Sequence, residues 1–86
     1  MAKSQKNQPV HEERLGRMKA VVWENPTKTG KMYNVQFCRV YRDDDDQWQE
    51  STSFGRDDCL VLARLAEIVS VWIYRHQAED AKADAA

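Results

Sequence analysis

The stretch SFGRDDCLVLARLAEIVSVWIYRH, Ser53 to His76, decides how this 86-residue chain is read. It has the period of a helix that begins near Gly55 or Arg56. Asp57 and Asp58 then fall in the first turn, where carboxylates meet free amides and the positive end of the helix dipole. Arg75 and His76 suit the opposite end. At 100° per residue, Ile68, Val61, Trp72, Leu65, Val69, Leu62, Ile73, Ala66 and Cys59 fill an arc of roughly 180°, broken only by Asp58 and His76, whereas a surface helix ordinarily shows a stripe of about 100° or a little more. One small sheet covers one stripe, so the rest of the arc needs other cover. Each large apolar side chain left in water forgoes about 1.5–3 kcal/mol. A few such losses approach the whole stability of a small domain, about 5–15 kcal/mol. Two arrangements answer this. A two-fold homodimer joins helix to helix, one patch meeting its own copy, with Val61, Leu65, Ile68, Val69 and Trp72 at the interface. Alternatively, a strongly curved sheet wraps the helix of a monomer. The homodimer is the expectation.

Upstream of the helix lie three strand-like runs. GRMKAVVWEN stops at Pro26 and alternates, with Met18, Ala20 and Val22 on one side and Arg17, Lys19, Val21 and Trp23 on the other. NPTKTGK follows as a hairpin loop. KMYNVQFCRVYRD has the clearest alternation: Tyr33, Val35, Phe37 and Tyr41 share a face opposite Asn34, Gln36 and Arg42. DDDDQ breaks it as an exposed turn. WQESTSF sets Trp48, Thr52 and Phe54 against Gln49, Ser51 and Ser53, with Trp48 and Trp72 expected in the core. Short connections make consecutive strands neighbours. The expected fold is α+β: an antiparallel meander of three strands, or four, then one long C-terminal helix. Residues 1–13 read as a flexible N-terminal tail, 14–76 as the single domain and 77–86 as a frayed C-terminal tail.

Composition narrows the function classes. The chain is 42% hydrophobic and 31% charged, with formal net charge -1. Such a balance does not fit indiscriminate binding to nucleic acid, which goes with an excess of Lys and Arg, but it leaves room for a local basic patch. Cys38 and Cys59 sit on different elements without CxxC spacing or clustered histidines, so they read as buried reduced thiols rather than a disulfide or zinc site. No run reaches the length of a membrane span. The N-terminus lacks the apolar core of a signal peptide, which leaves a cytoplasmic location as the expectation. The Asp43–Asp46 run lacks the alternating ligands and sharp glycine turn of a calcium loop, and reads first as a solvated turn, with cation capture or mimicry of a phosphate backbone as lesser readings. Three glycines, Gly16, Gly30 and Gly55, form neither a dinucleotide-binding nor a phosphate-binding loop. No catalytic triad, cofactor site or metal site is apparent, and an enzyme is not expected. His11 lies in the tail and takes no role. His76 suits helix capping or packing.

The order strand meander, polar turn and apolar terminal helix resembles the positive cofactor four family of transcriptional coactivators, and the Whirly family of single-stranded-DNA-binding proteins shares that fold type. The span Tyr33 to about Ile73 carries the resemblance. VYRDDDDQW stands where the coactivators have an aromatic strand end, an Asp and a turn, and SFGRDDCLVLARLAEIV where their last strand passes into the helix. The second stretch is also similar to one in small, mostly uncharacterised bacterial proteins. The resemblance implies a helix-to-helix dimer whose sheet grips single-stranded nucleic acid. The chain departs from the family in its less basic loops and in the DDDD turn, which repels phosphate.

With Met18, Ala20 and Val22 turned to the helix, Arg17, Lys19 and Trp23 point outward beside Asn34, Gln36 and Arg42. Cations, amides and an indole on a sheet form a platform for unpaired bases, and Lys28 and Lys31 in the hairpin loop extend it. The nucleic-acid-binding set is therefore Arg17, Lys19, Trp23, Lys28, Lys31, Gln36 and Arg42. Alternation alone leaves open that Trp23 and Val21 belong to the core instead. The competing function is a structural dimer that binds a protein partner and ignores nucleic acid.

Overall fold

The computed structural model describes residues 8–85. It is an α+β fold of four antiparallel strands and one helix: β1 (Pro9–Leu15), β2 (Met18–Thr27), β3 (Gly30–Arg42), β4 (Trp48–Ser51) and α1 (Arg56–Ala85). The sheet is a meander in the order β1-β2-β3-β4. The fourth strand comes from the stretch expected to be a tail. Pro9 to Glu13 pair with β2, Glu13 opposite Ala20 and His11 opposite Val22, after an irregularity between Pro9 and His11. The tail expectation for residues 1–7 lies outside the described residues. Among the described residues, no helix is long and apolar enough to cross a membrane.

Tight turns set the register. Leu15 pairs with Met18 across Gly16 and Arg17, and Gly16 has φ +62°, a conformation that costs a glycine little and that this kind of hairpin requires at its first central position. Thr27 pairs with Gly30 around Lys28 and Thr29, and from there β2 and β3 run in unbroken register to Met18 opposite Arg39. That register puts Met18, Ala20 and Val22 on the helix side with Tyr33, Val35 and Phe37. Strand β4 is shorter than the WQESTSF run suggested and ends at Ser51.

The helix starts as its sequence indicates. Gly55 precedes it, the Asp58 amide donates to the Gly55 carbonyl at 3.0 Å, and the Asp58 carboxylate accepts from the Gly55 amide at 2.9 Å. This is the returning half of a capping box. Arg39 Nε at 3.6 Å and Arg17 Nη2 at 3.9 Å flank the same carboxylate and tie the cap to the sheet. At its far end α1 continues through the stretch expected to fray, and Asp80 contacts β3.

Met18, Ala20 and Val22 of β2 and Leu65 and Val69 of α1 form the fully buried core. Around them pack Leu15, Tyr33, Val35, Phe37, Phe54, Val61, Trp72 and Ile73, all partly exposed. Helix α1 lies over β1 and β2, which shelters the middle of its apolar arc and leaves the flanks open. Beyond the arc, Leu60 is 80% and Val71 45% exposed.

The interface expected from sequence therefore changes. Leu65 and Val69 are fully used within the protomer's own core and cannot meet a second copy. Trp72 is sandwiched between imidazoles, His11 at 4.3 Å and His76 at 4.7 Å between ring centroids. Val61 packs against the same core, and only Ile68 stays on an open flank, beside Val71. His11 thus has a structural place that the sequence reading denied it, because the strand holding it was read as tail.

Candidate nucleic-acid interface

The face of the sheet turned away from α1 is built by strand alternation. Lys19, Val21, Trp23 and Asn25 of β2 lie beside Asn34, Gln36, Cys38, Val40 and Arg42 of β3, with Glu12 and Arg14 on one side and Trp48 and Glu50 on the other. The alternative left open by the sequence is resolved at this point: Trp23 belongs to the outer face, half-buried among its neighbours. Its indole Nε1–H donates to Gln36 Oε1 at 3.0 Å, which leans the ring towards β3.

Trp48 is also on this face. It is 64% exposed, not in the core as expected, and the Arg42 guanidinium stands 5.1 Å from its ring centroid. Arg42 in turn donates to Asp46 at 3.0 Å. The turn behind this pair is organised by one residue of the aspartate run. The Asp43 carboxylate accepts from the amides of Asp45 and Gln47, both at 2.9 Å, and from Gln49 Nε2 at 3.0 Å. Those bonds, the Gln47 amide first, hold its carboxyl below the usual carboxylate range. Asp46 takes a positive φ of 64°, which Asp tolerates better than most residues. Among the described residues, no group of three His, Cys, Asp or Glu side chains is placed to hold a metal ion.

The expected cations do not act as one track. Lys19 ion-pairs with Glu50; that hydrogen bond raises the Lys19 pKa and lowers that of Glu50. Arg17 sits in the β1–β2 turn near Asp58. Lys31 lies on the helix side, bonded to Glu24 at 3.0 Å and Asp80 at 3.2 Å, and the two carboxylates hold it protonated far above the usual lysine range. It cannot extend an outer-face track. Lys28 is exposed at the hairpin tip. Arg14 was missed because the strand that carries it was not recognised, residues 9–13 of that strand having been read as tail; it is exposed on the outer face opposite Lys19. Three cations on this face (Arg14, Lys19, Arg42) stand against three carboxylates, Glu12, Glu50 and the Asp46 that Arg42 engages, so the face is close to neutral.

Neither thiol is in a disulfide. Cys38 is partly buried on the outer face and burial pushes its pKa up. Cys59 is exposed rather than buried, its Sγ 3.4 Å from the Gly55 carbonyl. On the other side of the sheet an open apolar groove of about 790 Å³ runs between α1 and β3, with Val35, Phe37, Ala66, Ile73 and Tyr74 among its walls.

No protein-family model matches this chain significantly, and neither does any curated protein or solved structure.

Proposed function

We propose that the protein is a homodimeric, single-stranded nucleic-acid-binding module that works through the outer sheet face. The observation that carries this reading is the pair of indoles there, Trp23 tied to Gln36 and Trp48 under Arg42. Aromatic rings on an open sheet face are stacking platforms for unpaired bases, at about 1–3 kcal/mol per base. The fold shape, a four-stranded meander followed by one helix, is the one that the resemblance to the coactivator and Whirly families implies. That resemblance favours DNA as the ligand and an accessory role in transcription or DNA maintenance.

Carboxylates already neutralise Lys19 and Arg42, so stacking supplies most of the affinity in this reading and phosphate contacts little. Arg14 and Lys28 are the cations left for phosphate. Two neutralised phosphates correspond to a salt slope of about one to two, where a strongly basic site would show six or more.

The dimer part of the proposal moves to the groove beside α1. Tyr33, Val35 and Phe37 are only partly covered by the protomer's own helix, and Tyr74 at the groove rim is 71% exposed. A second copy laid against this groove would bury both.

A titration of single-stranded oligonucleotide followed by tryptophan fluorescence, at several salt concentrations, tests the binding. The reading predicts quenching with a shallow salt slope, and a loss of about tenfold or more in affinity for Trp23→Ala with circular dichroism unchanged. Absence of binding at tens of micromolar protein in low salt would overturn it. A second reading, a module that binds a protein partner, is favoured by the charge balance of the outer face. It predicts no response to any oligonucleotide and a protein that co-purifies in fixed ratio.

A further inference from the structure

The two edges of the sheet are unlike. Strand β1 forms one edge, and it is defended: it opens on Pro9, its register shifts between Pro9 and His11, and it carries Glu12, Glu13 and Arg14. Such features discourage the addition of a further strand. Strand β4 covers the other edge only in part, because it pairs with Arg39 to Arg42, whereas β3 begins at Gly30. Gly30 to Cys38 are left as an open edge along the rim of the groove between α1 and β3. This stretch, GKMYNVQFC, has no proline and one charge, Lys31, which is tied to Glu24 and Asp80. Its pairing with β2 runs without a bulge. We infer that this edge is where the second copy joins: β3 pairs antiparallel with the β3 of another chain, and two four-stranded sheets become one. The inference rests on the dimer part of the proposed function and names its joint; it does not depend on the nucleic-acid part.

The backbone gives the direction and the register. The Val40 amide donates to the Arg17 carbonyl, so the even-numbered residues of β3 bond towards β2. Pro26, which has no N–H, accordingly stands opposite an odd-numbered residue, Lys31, where none is needed. Lys31, Tyr33, Val35 and Phe37 therefore turn N–H and C=O to the open edge, where no strand of the described residues meets them. Two-fold pairing sets odd residues against odd ones and keeps both helices on one side of the joined sheet. Strand β4 limits the overlap, because Ser51 occupies the place beside Arg39. The hairpin tip of the incoming copy, at Lys28 and Thr29, must stop short of it. The longest overlap that does so sets Tyr33 against Tyr33 and Val35 against Lys31 of the other copy, with about six backbone hydrogen bonds. Tyr33 and Val35 lie on the helix side, so the two apolar grooves meet at the joint. The symmetric pairing uses both open edges and leaves no place for a third chain.

Backbone amide exchange, followed by nuclear magnetic resonance on the full chain from low to high micromolar concentration, tests the joint, with light scattering to count subunits. The Lys31, Tyr33 and Val35 amides slow by at least about tenfold as the dimer forms. The Glu12 and Arg14 amides, on the free edge of β1, do not change. In a Cys38→Ser, Cys59→Ser background, Tyr33→Cys links two chains on oxidation, because opposed residues of a hydrogen-bonded pair stand about 5.5 Å apart between Cα atoms. Phe37→Cys does not, since it faces the hairpin tip of the other copy. A dimer whose Lys31, Tyr33 and Val35 amides keep their single-chain rates overturns the joint and leaves a dimer held by side chains in the groove. Slowing at Glu12 and Arg14 instead, or a disulfide through Phe37→Cys and none through Tyr33→Cys, also overturns it. A single chain at high micromolar concentration overturns the joint and the dimer together.

Discussion

Single residues fix the geometry of the outer face. Asp43 is one of four consecutive aspartates, yet it alone turns its carboxylate inward to two amides and the Gln49 side chain. Asp43→Ala should lower the urea midpoint and weaken oligonucleotide binding, because the same turn positions Trp48. Its pH dependence has a defined sign. A carboxyl held below its usual value of about 3.9 contributes stability above that pH, and the contribution is lost as pH falls through the folded value. The fall in midpoint below about pH 4 should therefore be smaller in Asp43→Ala than in the parent chain, as acid titration of the midpoint will show. The turn was legible in the DDDD run. The inward aspartate was less so, although Asp bonding to amides further along the chain is a recognised turn signal. Trp48 was misplaced because the alternation was carried through Thr52 to Phe54, whereas the strand ends at Ser51 and the bend that follows resets which side is which.

Elements differ in how their apolar residues are used. On α1, Leu65 is fully buried and Leu60 is 80% exposed. Leu65→Ala should cost about 2–5 kcal/mol, the range for cavity-forming changes in a core. Leu60→Ala should stay within about 0.5 kcal/mol; urea denaturation measures both. The end of α1 is held by a different chemistry. Asp80 accepts from Lys31 at 3.2 Å, and from the Tyr33 hydroxyl at 3.4 Å, which keeps its carboxyl below the usual range. The depressed carboxyl of Asp80 contributes above pH about 3.9 and is lost as pH falls through its folded value. The raised Lys31 contributes fully below its ordinary value of about 10.4 and is lost only as pH rises through a still higher one. The clamp therefore stands across the neutral range. Asp80→Asn should speed hydrogen exchange of the amides around His76 while leaving those around Leu65 unchanged. The helix itself, its cap and its long apolar arc were plain in the sequence. So were β2 and β3 as strands, although Val21 and Trp23 left open which face of β2 is buried. Strand β1 was not, because in PVHEERL only Val10 and Leu15 are aliphatic and its exposed charges look like tail. Its pairing with β2, and the stacking of His11 on Trp72, are tertiary facts that local pattern does not carry.

At the scale of the whole molecule, one sheet has two unlike faces. The helix side holds the core and an open groove beside β3. The outer side holds indoles, amides and cations already matched by carboxylates. The excess of apolar surface on α1 pointed to a second copy, and the groove is where the proposal now seats it. Light scattering should give twice the mass of one chain, and Ala66→Glu, which sets a charge in the groove outside the core, should return it to one. A stable single chain at high micromolar concentration would remove the dimer and leave the outer face unaffected. Those indoles are what the functional account depends on. The most direct test is a nuclear magnetic resonance map of the protein with and without single-stranded oligonucleotide. The account predicts that the indole N–H signals of Trp23 and Trp48 and the side-chain amides of Asn34 and Gln36 move on titration, while Trp72 stays still. Shifts confined to Phe37, Ile73 and Tyr74 in the groove, or no shifts at all, would contradict it.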